Sequence, residues 1–120
     1  MLKTACICIT RPGREALFAE AAADFAAQTW ERSRLLVVTD GPEFHDSDLY
    51  RIACEAGVPA DRLVTTGVRP SRTLGELRQF ASQLASFAGE EVLVQWDDDD
   101  RYMPDRLQRQ LAPLEADPSL

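Results

Sequence analysis

Four short apolar runs alternate with longer stretches of helical period, and that order leaves few folds open to the chain. Residues 4–10 (Thr-Ala-Cys-Ile-Cys-Ile-Thr), 34–39 (Arg-Leu-Leu-Val-Val-Thr), 62–66 (Arg-Leu-Val-Thr-Thr) and 91–96 (Glu-Val-Leu-Val-Gln-Trp) read as strands. Pro12-Gly13 and Asp40-Gly41-Pro42 stop the first two. Residues 14–29 carry Leu17, Ala21 and Phe25 at four-residue spacing with Phe18 and Ala22 beside them, which predicts an amphipathic helix. Residues 47–56 carry Leu49, Ile52, Ala53 and Ala56 as far as Gly57. A third stripe (Leu74, Leu77, Ala81, Leu84) opens at the capping-box pattern Thr73-Leu74-Gly75-Glu76 and ends at Gly89. Pro104 reads as the first residue of a fourth helix, with Asp105 in its first turn. Its inner face is Leu107, Leu111 and Leu114, and Pro113 is expected to bend or shorten it. Strict alternation of strand and helix predicts an α/β fold, a mostly parallel sheet with helices on both faces.

The 120 residues fit one domain, and 45% hydrophobic against 28% charged residues favours a packed core over disorder. There is no internal repeat and no low-complexity linker. The formal net charge of −7, with scattered basic residues, argues against a nucleic-acid partner, because binding a phosphate backbone needs clustered Lys and Arg. Cys6 and Cys8 fall on the same face of one strand, a poor geometry for a mutual disulfide, and Cys54 stands alone. Three buried free thiols in a reducing compartment are the expectation, and with it a cytoplasmic location. The apolar stretch after Lys3 is too short for a signal peptide, and no run approaches the roughly 18 apolar residues of a membrane span.

In open α/β sheets, ligands sit beyond the carboxyl ends of the strands. Thr10-Arg11-Pro12-Gly13-Arg14, Thr39-Asp40-Gly41 and Asp97-Asp98-Asp99-Asp100 should therefore share one edge. The aspartate run is the strongest of the three. Adjacent carboxylates repel one another unless something cationic is present, and oxygen ligands at a strand end suit Mg²⁺ or Mn²⁺ with a phosphorylated substrate. The competing reading is a solvated acidic turn that helps start the next helix. The position of the run, after an apolar strand and an exposed-looking Trp96, favours the metal. Arg11-Pro12-Gly13-Arg14 lacks the glycine spacing of a dinucleotide or phosphate loop and is equally a plain turn with two solvated arginines. Asp40 is either a turn residue or an acceptor for a ring N–H or ribose hydroxyl. Arg72 is either a phosphate clamp or a solvated residue at a helix start. His45 reads as a surface loop residue, and Trp30 as packing a helix end.

Taken in order, these pieces resemble the family 2 glycosyltransferases, over nearly the whole chain. Ala5-Cys6-Ile7-Cys8-Ile9-Thr10 and Arg14 come first, and Phe25-Ala26-Ala27-Gln28-Thr29-Trp30 looks like the family's L-x-Q-T-y helix end. Leu35-Leu36-Val37-Val38-Thr39-Asp40-Gly41 is similar to its V-D-D-G-S element, and Leu77-Arg78-Gln79-Phe80-Ala81 to its A-R-N-x-A. Gln95 to Leu107, with the four aspartates and Tyr102-Met103-Pro104-Asp105-Arg106, is similar to its metal loop and following helix. Three positions depart from the pattern: Thr39 replaces an aspartate, Pro42 a serine, and Gln79 an asparagine.

The resemblance implies the Rossmann-like, nucleotide-binding half of a GT-A fold, stopping after the fourth βα unit of a longer domain. It implies a nucleoside-diphosphate sugar as donor, of UDP type. Thr10, Arg11, Arg14, Asp40, Arg72, Asp97 and Asp98 would bind it, with Asp40 accepting from the base and Asp98 facing the ribose. Asp99 with Asp97 would hold the Mg²⁺ or Mn²⁺ that bridges the phosphates. The implied reaction is inverting transfer to the hydroxyl of a saccharide, lipid or protein acceptor. The catalytic base is expected beyond residue 120, so the chain alone is expected to bind but not transfer sugar. A fourth strand without its usual neighbours could pair with another chain, and the parent enzyme could act at the inner face of a membrane. The alternatives are a metal-dependent nucleotidyltransferase, which would be expected to show a glycine-rich loop after the first strand, and a non-catalytic nucleotide-binding or interaction module of the same fold. An aspartyl-nucleophile phosphatase would carry its Asp-x-Asp after the first strand, not the fourth.

Overall fold

The structure is a computed structural model that describes residues 2–11, 13–40, 46–68, 74–87 and 89–117. It is an α/β fold with four parallel strands: β1 (Thr4–Thr10), β2 (Ser33–Asp40), β3 (Leu63–Val68) and β4 (Val92–Gln95), in the order β3-β2-β1-β4. Helices α1 (Glu15–Ala26), α2 (Asp46–Glu55), α3 (Leu74–Phe87) and α4 (Arg106–Ala116) connect and follow them, with one 3-10 turn at Ala60–Arg62. The expected mostly parallel sheet is all-parallel here. No helix among the described residues is long and apolar enough to cross a membrane.

The two central strands explain why the sheet is covered on both faces. β1 and β2 are buried almost throughout, as strands packed on both sides must be. Their alternate residues feed two separate cores. Cys6, Cys8, Leu35 and Val37 face α1, α2 and α4 through Phe18, Phe25, Leu49, Ala53, Leu107 and Leu111. Ala5, Ile7, Leu36 and Val38 face α3 through Leu77, Ala81 and Ala85. β3 and β4 are the edges of the described sheet, and Val64 and Leu93 on them are partly exposed.

Several boundaries differ from those the sequence suggests, each for a local reason. The inner stripe of α1 is Phe18, Ala21, Ala22 and Phe25, and Leu17 lies towards solvent. α4 starts two residues after Pro104: residues 104 and 105 form a turn, and the Arg109 N–H to Asp105 carbonyl bond at 2.9 Å opens the helix. Asp105 therefore stands before the helix, and the helix runs on past Pro113 to Ala116. The end of α2 is sharp. Gly57 takes φ +107°, where a side chain would be strained, while Val58 N–H reaches the Ala53 carbonyl and Gly57 N–H the Cys54 carbonyl, both at 3.0 Å. The capping residue Thr73 and the loop residue His45 lie outside the described residues. Cys6 and Cys8 are buried and free, with the Cys6 thiol pushed up to about 12 by burial, whereas Cys54 is only half-buried.

Phe25 is fully buried in the larger core. It meets Trp96 edge-on, with ring centroids 6.1 Å apart, and carries the Arg62 guanidinium 5.1 Å over its ring. Phe25→Ala is expected to lower unfolding free energy by about 3–5 kcal/mol, read as a drop in the urea midpoint with an unchanged slope. A loss under about 1 kcal/mol would show that the site collapses around the missing ring.

Candidate functional site

The strand order reverses between β1 and β4: β2 and β3 follow β1 on one side, and β4 returns to the other. Such a switch point leaves a crevice at the carboxyl edge because the flanking connections run to opposite faces. A cleft of about 330 Å³ opens there. Thr10, Arg11 and Arg14 form one wall, Gln95 and Asp97–Asp99 another, and Ile7, Ile9 and Arg78 the side covered by α3.

The approach to Arg14 needs a turn that only a glycine makes easily. Gly13 takes φ +91°, and the Arg14 N–H closes back on the Arg11 carbonyl at 3.3 Å. Arg14 then stands at the start of α1 and grips Asp98 with two hydrogen bonds. Its Nε donates to Oδ2 at 2.8 Å and its Nη2 to Oδ1 at 2.7 Å. The Thr10 hydroxyl donates to the same Oδ2 at 2.9 Å. Both oxygens of Asp98 are thus engaged, and its side chain is 5% exposed. Hydrogen bonding to Asp98 holds the Arg14 guanidinium above its already high value.

The other three aspartates turn outward. Asp97, Asp99 and Asp100 each offer a carboxylate oxygen, and these oxygens lie within 4.8 Å of one another. Opposite oxygens around a small divalent ion stand about 4.2 Å apart, so a small contraction would gather the set on one cation. All three are hard oxygen donors, the chemistry that suits Mg²⁺ or Mn²⁺. The turn is closed by the Asp100 N–H to the Asp97 carbonyl at 3.4 Å, and Arg14 Nη2 lies 3.9 Å from Asp99.

The far end of the loop is tied to the far end of α1. Asp24 accepts Arg101 Nε at 2.9 Å, Arg101 Nη2 at 3.0 Å and the Tyr102 N–H at 3.0 Å. The Gln28 amide donates to the Met103 carbonyl at 2.7 Å and accepts the Leu107 N–H at 3.1 Å, satisfying a free donor at the start of α4. Tyr102 stacks on Trp96 at 4.0 Å, and its hydroxyl accepts the Asp97 N–H at 2.8 Å.

Of the residues singled out from sequence, Thr10, Arg11, Arg14, Asp97, Asp98 and Asp99 meet in the one cleft. Asp40 ends β2 on the same edge, one residue past the Thr10–Thr39 pair. Arg72 lies outside the described residues. Trp96 corrects the reading of an exposed ring: it is fully buried, and its Nε1 donates to the Ala21 carbonyl at 2.8 Å. Trp30 is buried as expected, its Nε1 on the Leu2 carbonyl at 3.1 Å. Sequence reasoning missed Arg78 and Gln95 as cleft residues and Asp100 as the third outward carboxylate. It also missed Asp24, in the last turn of α1 between the buried Ala22 and Phe25, and Gln28 just beyond the end of that helix.

In comparison with known proteins, no protein-family model matches the chain, and no curated protein is significantly similar to it.

The Asp24 clamp has a pH signature. The hydrogen bond from Arg101, helped by the Tyr102 N–H and opposed by partial burial, holds the Asp24 carboxyl below its ordinary value. The unfolded chain therefore binds the proton first, and the clamp's contribution is complete above the unfolded value and lost as pH falls through the folded one. The urea midpoint is expected to fall below about pH 4, and less steeply in Asp24→Asn, which has no carboxyl to titrate. Parallel pH profiles for the two proteins would remove Asp24 from the acid response.

Proposed function

We propose that the chain is the donor-binding part of a metal-dependent glycosyltransferase of GT-A type. The observation that carries this reading is the switch-point cleft, which Asp97 and Asp99 line together with Arg14 and Arg78, and where the Asp100 carboxylate lies within 4.8 Å of theirs. Asp97, Asp99 and Asp100 would hold Mg²⁺ or Mn²⁺, which when bound offsets the charge of a leaving diphosphate. The donor is a nucleoside-diphosphate sugar of UDP type, and Asp40 stands on the right edge of the sheet to meet its base. Asp98, with both oxygens held, shapes the cleft by fixing the loop and not by offering a free acceptor to the ribose.

In the proposed reaction an acceptor hydroxyl forms a bond to the anomeric carbon as the bond from that carbon to the diphosphate breaks. A base takes the hydroxyl proton. The aspartates of this loop serve the donor, so the base comes from elsewhere in the protein. The resemblance of the ordered motifs to family 2 supports the sugar donor over a nucleotidyl one, and the single glycine of Arg11-Pro12-Gly13-Arg14 supports it further.

Calorimetric titration of UDP with and without Mn²⁺ tests the reading. Binding is expected only with Mn²⁺, and Asp99→Ala is expected to weaken it at least about tenfold, as loss of a carboxylate ligand should. Equal affinity with and without metal, or an unchanged Asp99→Ala protein, would overturn the metal-bridged diphosphate. A folded chain that binds no UDP in Mn²⁺ would reject the donor site itself.

A further inference from the structure

The charges in the cleft do not balance for a phosphorylated ligand. Asp97 and Asp99, which line the cleft, and Asp100, whose carboxylate lies within 4.8 Å of theirs, bring three negative charges, and one divalent ion offsets two of them. A diphosphate adds more negative charge to the same space. Arg14 sits close by, but its guanidinium is committed to Asp98 through two short hydrogen bonds. A further cation has to meet the phosphate oxygens that the metal does not neutralise.

Arg78 has the right place and the right chemistry. It stands on α3, one residue after Leu77, whose burial against the sheet fixes the rotation of that helix. It lines the cleft together with Ile7 and Ile9, on the side away from α1. Among the described residues it has no hydrogen bond or ion pair, whereas in the neighbouring cavity beyond Asp97 Arg101 is paired with Asp24, Arg109 with Asp105, and Arg106 lies over the Tyr102 and Trp96 rings. A guanidinium presents a fork of donors that fits two phosphate oxygens at once, which an ammonium does not.

We infer that Arg78 is a direct phosphate-binding residue, so that the cleft takes a diphosphate between the aspartate triad and α3. This rests on the donor-site reading and deepens it. The cleft then discriminates by phosphate number: a diphosphate reaches both the metal and Arg78, and a monophosphate reaches only one of them.

The test is calorimetry in Mn²⁺ with UDP, UMP and inorganic pyrophosphate as probes, on the wild-type chain, Arg78→Ala and Arg78→Lys, each checked for folding by circular dichroism. Arg78→Ala is expected to weaken UDP and pyrophosphate at least about tenfold, the cost of losing a charge-assisted contact, and to narrow the preference for UDP over UMP. Arg78→Lys is expected to recover part of that loss. UDP and pyrophosphate affinities within about twofold of wild type in a folded Arg78→Ala protein would overturn the inference. An equal loss for UDP and UMP, with the preference between them unchanged, would overturn it as well. If the wild-type chain binds pyrophosphate but not UDP, the nucleotide reading fails alone and the pyrophosphate affinities still decide Arg78. Binding of neither probe overturns both.

Discussion

A carboxylate buried at the end of a strand has to be neutralised where it stands, and Asp98 is neutralised by Arg14. Breaking one side of such a pair leaves an uncompensated charge in the interior, which is costly, so both residues hold their positions. From this contact the rest of the edge follows. Thr10 completes Asp98 from the end of β1, and Gly13 supplies the turn that brings Arg14 round to it. The two neighbouring strand ends are thereby locked at the point where the strand order reverses.

α1 acts as a splint for the whole aspartate loop. Arg14 at its start fixes the beginning of the loop, and Asp24 in its last turn with Gln28 just beyond its end fixes Arg101 to Leu107. A twelve-residue helix spans about 18 Å, so one element holds both ends of the loop. Trp96 and Tyr102 fill the space between. Their stacked rings lie under Arg106, and Trp96 is hydrogen-bonded into α1 through the Ala21 carbonyl. The ring that looked exposed in the sequence is buried beneath the aspartate loop.

How much of this was legible in the sequence depends on whether the signal was periodic or pairwise. The strands and helices were legible, because burial on both faces forces continuous apolar runs such as Cys6-Ile7-Cys8-Ile9 and Leu35-Leu36-Val37-Val38. The convergence of Thr10, Arg14 and the aspartates was legible as well, since parallel strands put their carboxyl ends on one edge. The rest depends on partners distant in sequence. That Asp98 turns inward is decided by Arg14, 84 residues away, and that Tyr102 is anchored is decided by Asp24, 78 residues away. Nothing within the run Asp97-Asp98-Asp99-Asp100 marks one member as different. The start of α4 was misplaced for the same reason. Gln28, just past the end of α1, receives the Leu107 N–H that a local cap would otherwise have to satisfy.

The unequal fates of the four aspartates bear on how the loop could work. Three carboxylates in a small space repel, and a free loop would relieve that by spreading apart. Here the spreading is resisted at both ends: Asp98 is held by Arg14 and Thr10, Tyr102 by Asp24 and by its stack on Trp96. Repulsion that cannot be relieved by movement is relieved by a counter-charge, and under the proposed function that is the divalent ion. Part of the cation's affinity would then be set by residues that never touch it. Arg14, Asp24 and Gln28 keep Asp97, Asp99 and Asp100 together, and the cost of doing so is met by folding before any ligand arrives.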